Sequence, residues 1–183
     1  MKNAIGLIEL NSIAKGFEVT DALLKTAESE LVEAHSVCPG KFMVLITGTT
    51  ADVQSSLEAG LEIAADAFID KLMISNIHGD LVPALRGVTA VSELEALGII
   101  ETFSAASTII AADAAAKKAA IKLVDIRLAN ALGGKAYLTL TGEVGAVRSA
   151  VNAGSNAVKE GEGILIRRVV IPRPHKDLRK SVL

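Results

Sequence analysis

The chain is written twice. "AIGLIE" at Ala4–Glu9 returns as "ALGIIE" at Ala96–Glu101, and the same offset of 92 residues carries Asp21 to Asp113, Lys25 to Lys117 and Leu31-Val32 to Leu123-Val124. Further on the offset becomes 94: Gly40-Lys41 matches Gly134-Lys135, Thr47-Gly48 matches Thr141-Gly142, and Ala59-Gly60 matches Ala153-Gly154. Near the end of each copy His78-Gly79-Asp80-Leu81 is echoed by His175-Lys176-Asp177-Leu178. Order is kept throughout with only small insertions, so the chain is a tandem duplication of a unit of about 90 residues, the size of one small domain. That period is far longer than the roughly 20–50 residues of solenoid or propeller repeats. Two domains are expected, 1–94 and 95–183, with the boundary near Val91–Ala96.

Each copy reads strand–helix–strand–strand–helix–strand. In the first, Ala4–Leu10 is a short β-type run, and Ile13 to about Ser29 is helical with Phe17, Leu23, Leu24 and Ala27 on one side. Leu31–Val37 and Phe42–Thr47 form a hairpin across Cys38-Pro39-Gly40-Lys41. Thr49 or Thr50 caps a second helix carrying Val53, Leu57, Leu61 and Ala64, and Lys71–Ile77 is the closing strand. Pro83 and Gly87 weaken any continuous helix in the stretch that follows. The second copy repeats the pattern over Gly98–Phe103, Ala105–Ala119, Ile121–Ala129, Ala136–Thr141, Glu143–Val158 and Gly163–Ile171. The fold class is α+β, two tandem ferredoxin-like (split βαβ) domains.

Composition narrows the chemistry. Half of the residues are hydrophobic, and these are small aliphatics: aromatics are 3% and Trp is absent. Such a chain offers few platforms for stacking bases, and a net charge of −2 supplies no broad basic field for a phosphate backbone. Nucleic acid is not an expected partner. Nor is a membrane, since no apolar run reaches the ~18–20 residues that span a bilayer. A single cysteine, Cys38, excludes an internal disulfide and suits a reducing cytoplasm. No hydrolase elbow, phosphate-binding loop or dinucleotide fingerprint is present, and Gly133-Gly134-Lys135 lacks the spacing of a phosphate loop. No nucleophile–base set or acid–base pair is identifiable, so an enzyme is not expected.

The order "IGLIEL", then "TDALLKTAESELVEA", then a hairpin with a glycine-lysine turn, and finally "VVIPRPHKDL" resembles bacterial microcompartment shell proteins. The likeness covers the chain twice, which places it with the tandem-domain, trimer-forming class. The resemblance implies flat pseudohexagonal tiles of three chains joined edge to edge around an enzyme compartment, a closed ring in which one interface repeats. In that class the helical Lys and the Arg of the PRPH stretch work at tile edges, which here are Lys25, Lys117 and Arg173. The first copy reads "SNIHGD" where the second reads "IPRPHKD", so no Arg role carries to copy one.

The resemblance also gives the hairpin turns the role of lining a central pore: Val37, Cys38, Pro39 and Gly40 in the first copy, and Ala131, Leu132, Gly133 and Gly134 in the second. One thiol per chain then becomes three around a three-fold axis. "CPGKF" at Cys38–Phe42 is similar to the pore turn of the propanediol-utilisation type of tandem shell protein, which implies a [4Fe–4S] cluster, one per trimer, with Cys38 as its only type of protein ligand. The expected function is a structural shell protein that also passes electrons across the shell, with other shell proteins at its edges and an encapsulated redox enzyme as a partner. The alternative is a passive tile whose pore conducts metabolites and binds no cluster. His35 lies three residues from Cys38, but residues three apart on a strand face opposite ways, so it reads as a surface histidine. His78 and His175 read as turn-stabilising residues.

Overall fold

The computed structural model of the chain describes residues 3–129 and 132–182. In the first copy β1 (Ala4–Leu10), α1 (Ile13–Thr26), β2 (Glu30–Val37), β3 (Lys41–Gly48), α2 (Thr50–Ala64) and β4 (Phe68–Ser75) follow in order. A short helix, α3 (Leu81–Leu85), precedes the second copy: β5 (Ala96–Thr102), α4 (Ala105–Lys118), β6 (Lys122–Leu128), β7 (Ala136–Gly142), α5 (Val144–Glu160) and β8 (Leu165–Pro172). Each copy folds into one four-stranded antiparallel sheet, ordered β2-β3-β1-β4 and β6-β7-β5-β8, with its two long helices packed on the sheet. This is the expected split βαβ plan, built twice.

Local signals fix the elements. Ser12 and Ser104 cap α1 and α4 by accepting the amides of Lys15 and Ser107, and Thr49 accepts the Asp52 amide ahead of α2. In α5 the carboxylate of Glu143 takes the cap role, accepting from Gly145 and Ala146. Both copies repeat one buried side-chain bond, Thr47 to the Ala4 carbonyl and Thr141 to the Ala96 carbonyl, each 2.8 Å.

Small residues let the layers approach. A β-carbon at Gly60 would lie 2.7 Å from Leu23 Cδ2, and one at its counterpart Gly154 would lie 2.6 Å from the Ala111 carbonyl oxygen. Between helix and sheet the copies reach the same fit by opposite means. In copy one Gly16 on α1 lies against the ring of the fully buried Phe42, whereas the corresponding positions of copy two are Thr108 and Ala136, both buried.

The helix faces differ from the expectation in one respect. The side of α1 that packs inward carries Gly16, Val19, Thr20 and Leu23, an i, i+3, i+4, i+7 stripe. Phe17 and Leu24 lie outside that stripe and remain exposed, although the Phe17 ring leans on Phe42 at 5.0 Å between centroids. The closing strand of copy one begins three residues earlier than the apolar pattern implied, because β1 pairs with it from Phe68 onward. It stops where Asn76 turns into the left-handed region.

The chain divides into two compact units, Met1–Ile77 and His78–Leu183. Residues 78–94, expected in the first domain, thus belong to the second unit. Three features hold them there. Asp113 on α4 accepts the His78 amide at 2.8 Å, Lys122 pairs with Asp80 at 3.2 Å, and Leu81, Ala84 and Leu85 bury their side chains as α3 packs on β6. Pro83 is tolerated because it sits in the first turn of α3. Gly87, at φ +64°, ends that helix with its amide on Ala84 and the Val88 amide on Pro83, the double closure of a Schellman motif.

Two predictions follow from this packing. Phe42→Ala alone is expected to cost about 3–5 kcal/mol and Gly16→Thr about 1–3 kcal/mol in urea unfolding. The double variant, which imports the pair of the other copy, is expected to recover at least about 1 kcal/mol of their sum. Asp113→Ala should cost about 1–3 kcal/mol by stranding a backbone donor and should quicken proteolysis within 78–87. The matching Asp21→Ala should change stability by less than about 0.5 kcal/mol.

Candidate functional site

Strands β2 and β3 pair from Glu30↔Thr47 to Val37↔Lys41. That register leaves Cys38, Pro39 and Gly40 as a three-residue turn, closed by the Gly40 amide on the Val37 carbonyl at 3.0 Å. Gly40 holds φ +94°, a conformation that favours glycine. Pro39 and Gly40 are exposed, and the Cys38 thiol is free and half-buried. Val37 is 5% exposed, so its side chain belongs to the core and the tip of the turn is made by the three residues after it.

The second copy has a longer connection between the two strands. Strands β6 and β7 close at Leu128↔Ala136, and the two extra residues behind the change of offset fall between them. Leu132, Gly133 and Gly134 form the turn, with the Lys135 amide on the Leu132 carbonyl at 3.2 Å. Gly133 and Gly134 both take positive φ, +62° and +86°. Ala131, assigned to this lining from the sequence, lies outside the described residues.

An ion pair braces the foot of each turn. Lys41 Nζ lies 3.1 Å from Glu9 of β1, and Lys135 Nζ lies 3.2 Å from Glu101 of β5. Glu9 is almost wholly buried. Each pair ties the residue entering the third strand to the end of the first, and so fixes where the turn projects. The sequence carried a signal for it, because both members recur in both copies, but their pairing needed the β1–β3 register.

The histidines divide. In His78 and His175 the Nδ1 atom accepts the amide two residues on, from Asp80 at 3.2 Å and Asp177 at 3.3 Å, so both secure turns as expected. His35 is less exposed than a surface histidine: it sits on β2 opposite Met43, with Nδ1 3.9 Å from Glu33. Its Nε2 is shielded and has no hydrogen-bond partner among the described residues. Burial strips water from the imidazolium and pushes its pKa below the ordinary 6.5. Among the described residues no three His, Cys, Asp or Glu side chains converge to hold a metal.

The three residues assigned to tile edges differ in setting. Lys25 pairs with Asp21 at 2.6 Å, both exposed. Lys117 makes the same i, i+4 pair with Asp113 at 2.6 Å, but there the carboxylate is buried and also holds the His78 amide. Arg173 follows β8 at φ +46° with its amide on the Glu95 carbonyl, and Asn76 occupies the matching place after β4 at φ +55°. Asn takes that left-handed conformation readily and offers no cation.

Comparison with known proteins matches this geometry. The BMC domain model fits residues 4–77 and 96–174, one match in each sheet-and-helix unit. Over all 183 residues the chain is 40% identical to the microcompartment shell protein PduT of Citrobacter freundii, covering 99% of that protein. It is 40% identical over 87 residues to the microcompartment shell protein EutM of Salmonella typhimurium, which spans 88% of EutM but 48% of this chain. A solved microcompartment protein of Desulfitobacterium hafniense superposes with a TM-score of 0.95 at 47% identity, covering 98% of this chain and 99% of that one. A fused, permuted hexameric shell protein of the RMM microcompartment, 23% identical, superposes at 0.62 and shares the fold. No helix among the described residues is long and apolar enough to cross a membrane. The chain belongs to the BMC-domain family, as a tandem-domain structural protein of the bacterial microcompartment shell.

Proposed function

We propose that three copies of this chain close into a ring of six domains, that the hairpin turns surround its axis, and that three Cys38 thiolates there hold a [4Fe–4S] cluster for electron transfer across the shell. Support for the ring comes from comparing one helix built twice. Ile13, Phe17 and Leu24 on α1 are 45%, 64% and 37% exposed, while the matching Ala105, Ile109 and Ala116 on α4 are 0%, 0% and 5% exposed. An apolar helix face that is covered in one copy and bare in the other calls for a further chain. A head-to-tail contact of that kind closes into a ring when its rotation allows.

The observation that carries the cluster reading is Cys38 at the tip of a tight, glycine-closed turn, with a free thiol and no converging set of metal ligands among the described residues. In a ring of three chains symmetry would supply the further donors, and three soft thiolates suit iron–sulfur chemistry. When bound, such a cluster supplies one-electron redox chemistry and leaves one iron for a water, a small ligand or a partner. Cys38 would ligate, Gly40 lets the turn reverse tightly, and the Glu9–Lys41 pair holds the turn's base in place. Electron exchange with an encapsulated redox enzyme is part of the same proposal. At the rim Lys25, Lys117 and Arg173 would contact neighbouring shell proteins.

A passive pore is the second reading. It is favoured by the Gly133-Gly134 turn, which presents backbone without side chains and so would leave room at an axis for small polar metabolites.

Anaerobically purified protein is expected to contain about four irons and as many acid-labile sulfides per three chains, as for a [4Fe–4S] centre, with both lost in Cys38→Ser at unchanged native mass. No iron in the parent protein would leave the passive pore. Phe17→Glu should convert the ring to single chains in native mass spectrometry. A trimer that persists would sink the α1 contact.

A further inference from the structure

Copy two gathers two arginines into one groove. Helix α5 and strand β8 bound a cavity of about 290 Å³ lined by Arg148, Val151, Asn152, Arg168, Val169 and Val170. Arg148 and Asn152 stand four residues apart on α5 and so share one helix face. Arg168 pairs with Ile100 of β5, whose side chain reaches Gly154 on α5, and therefore points to the helix side of the sheet. Asn152 Oδ1 accepts from Arg168 Nη1 at 2.8 Å, which orients that guanidinium and leaves the Asn152 amide nitrogen to donate elsewhere.

The two positive charges lack a counter-charge. No carboxylate is among the lining residues, and among the described residues neither Arg148 nor Arg168 forms an ion pair. Like charges held in one groove repel, and an anion placed between them relieves that cost. The arrangement is particular to copy two. The offset between the helices and the β4 and β8 registers make Gln54, Glu58 and Lys71 the counterparts of Arg148, Asn152 and Arg168. In copy one the three positions are neutral in sum, and Gln54 Nε2 donates to Glu58 Oε1 at 3.0 Å. Replacing Gln by Arg and Glu by Asn is what makes the second groove doubly positive.

We infer that this groove binds the phosphate group of a small molecule, either free phosphate or a short phosphate monoester. Guanidinium forks match phosphate oxygens in geometry. Near neutral pH the group approaches a dianion, so one phosphate offsets both arginines, which a monocarboxylate does not. The Asn152 amide supplies a neutral donor between them, and Val151 and Val170 offer a wall for a short alkyl group. The volume lies at the small end of ligand pockets and suits nothing much larger. None of the residues invoked above for the ring contact, the axis or the rim lines the groove, so the site stands apart from the cluster reading.

Calorimetric titration of the full chain with inorganic phosphate, ethyl phosphate, sulfate and butyrate tests this. One saturable phosphate site per chain is expected, weakened at least about tenfold in Arg148→Gln and in Arg168→Gln. Lys159→Gln removes the same charge from the same helix outside the groove and should change affinity by less than about twofold. Arg148→Gln with Asn152→Glu imports the copy-one residues and should abolish binding, with circular dichroism and native mass unchanged. Ethyl phosphate should bind more tightly at about pH 7.5 than at about pH 5, since its second ionisation falls near pH 6, whereas sulfate should bind alike at both. Tighter binding of ethyl phosphate than of phosphate assigns an ester, and the reverse assigns free phosphate. The inference is overturned by a parent that shows no saturable binding, by butyrate binding as tightly as ethyl phosphate, or by affinity that survives both arginine variants. A fall in native mass in Arg148→Gln also overturns it, because the groove would then be a contact between chains.

Discussion

Strand β1, with its copy β5, is the constraint on which each unit rests. It pairs on both sides, with β3 and β4, and every residue from Ala4 to Leu10 is buried. A strand enclosed in this way has no freedom of register, because a slip of one residue would turn Glu9 from its lysine and drive Gly6 off the helix it admits. A β-carbon at Gly6 would lie 2.8 Å from Val53 Cγ1, so α2 seats where β1 lacks a side chain. The far end of β1 sets the foot of the hairpin turn through Glu9 and Lys41. Core, helix placement and candidate site thus share one strand.

Duplication allowed the two copies to separate in role while keeping that frame. Ladders, caps and the Thr47 and Thr141 bonds are common to both. The differences sit at the rims of the units: a three-residue turn with a thiol against a longer connection with two glycines, Asn76 against Arg173, and Gln54 and Glu58 against Arg148 and Asn152. Exchanges such as Gly16/Phe42 for Thr108/Ala136 show how the interior absorbed change by conserving volume across the contact. A single-domain relative matches half of this chain. The tandem chain carries two kinds of turn within one molecule.

The fold was legible because its signals are local or periodic. Repeat offsets, capping serines, alternating strands and glycine-closed turns depend on neighbours in sequence, and they placed nearly every element. What escaped was what depends on distant partners. The apolar residues of α1 looked like one face, yet Phe17 and Leu24 fall outside the inward stripe of Val19 and Leu23. The segment 78–94 followed copy one in sequence but packs with copy two, because Asp113, 35 residues on, accepts the His78 amide. His35 looked like surface because nothing near it in sequence reports the partial burial of its ring.

The sequence by itself determined the doubling of the chain, the α+β plan of each unit, the turn that carries Cys38 and the membership of a shell family, since each is written in residue order and spacing. The tertiary structure decided which of two equivalent aspartates became a clamp, which Glu meets which Lys at the base of a turn, and which arginines share a groove. Those outcomes depend on strand register and burial, and both arise only when residues far apart in the chain meet.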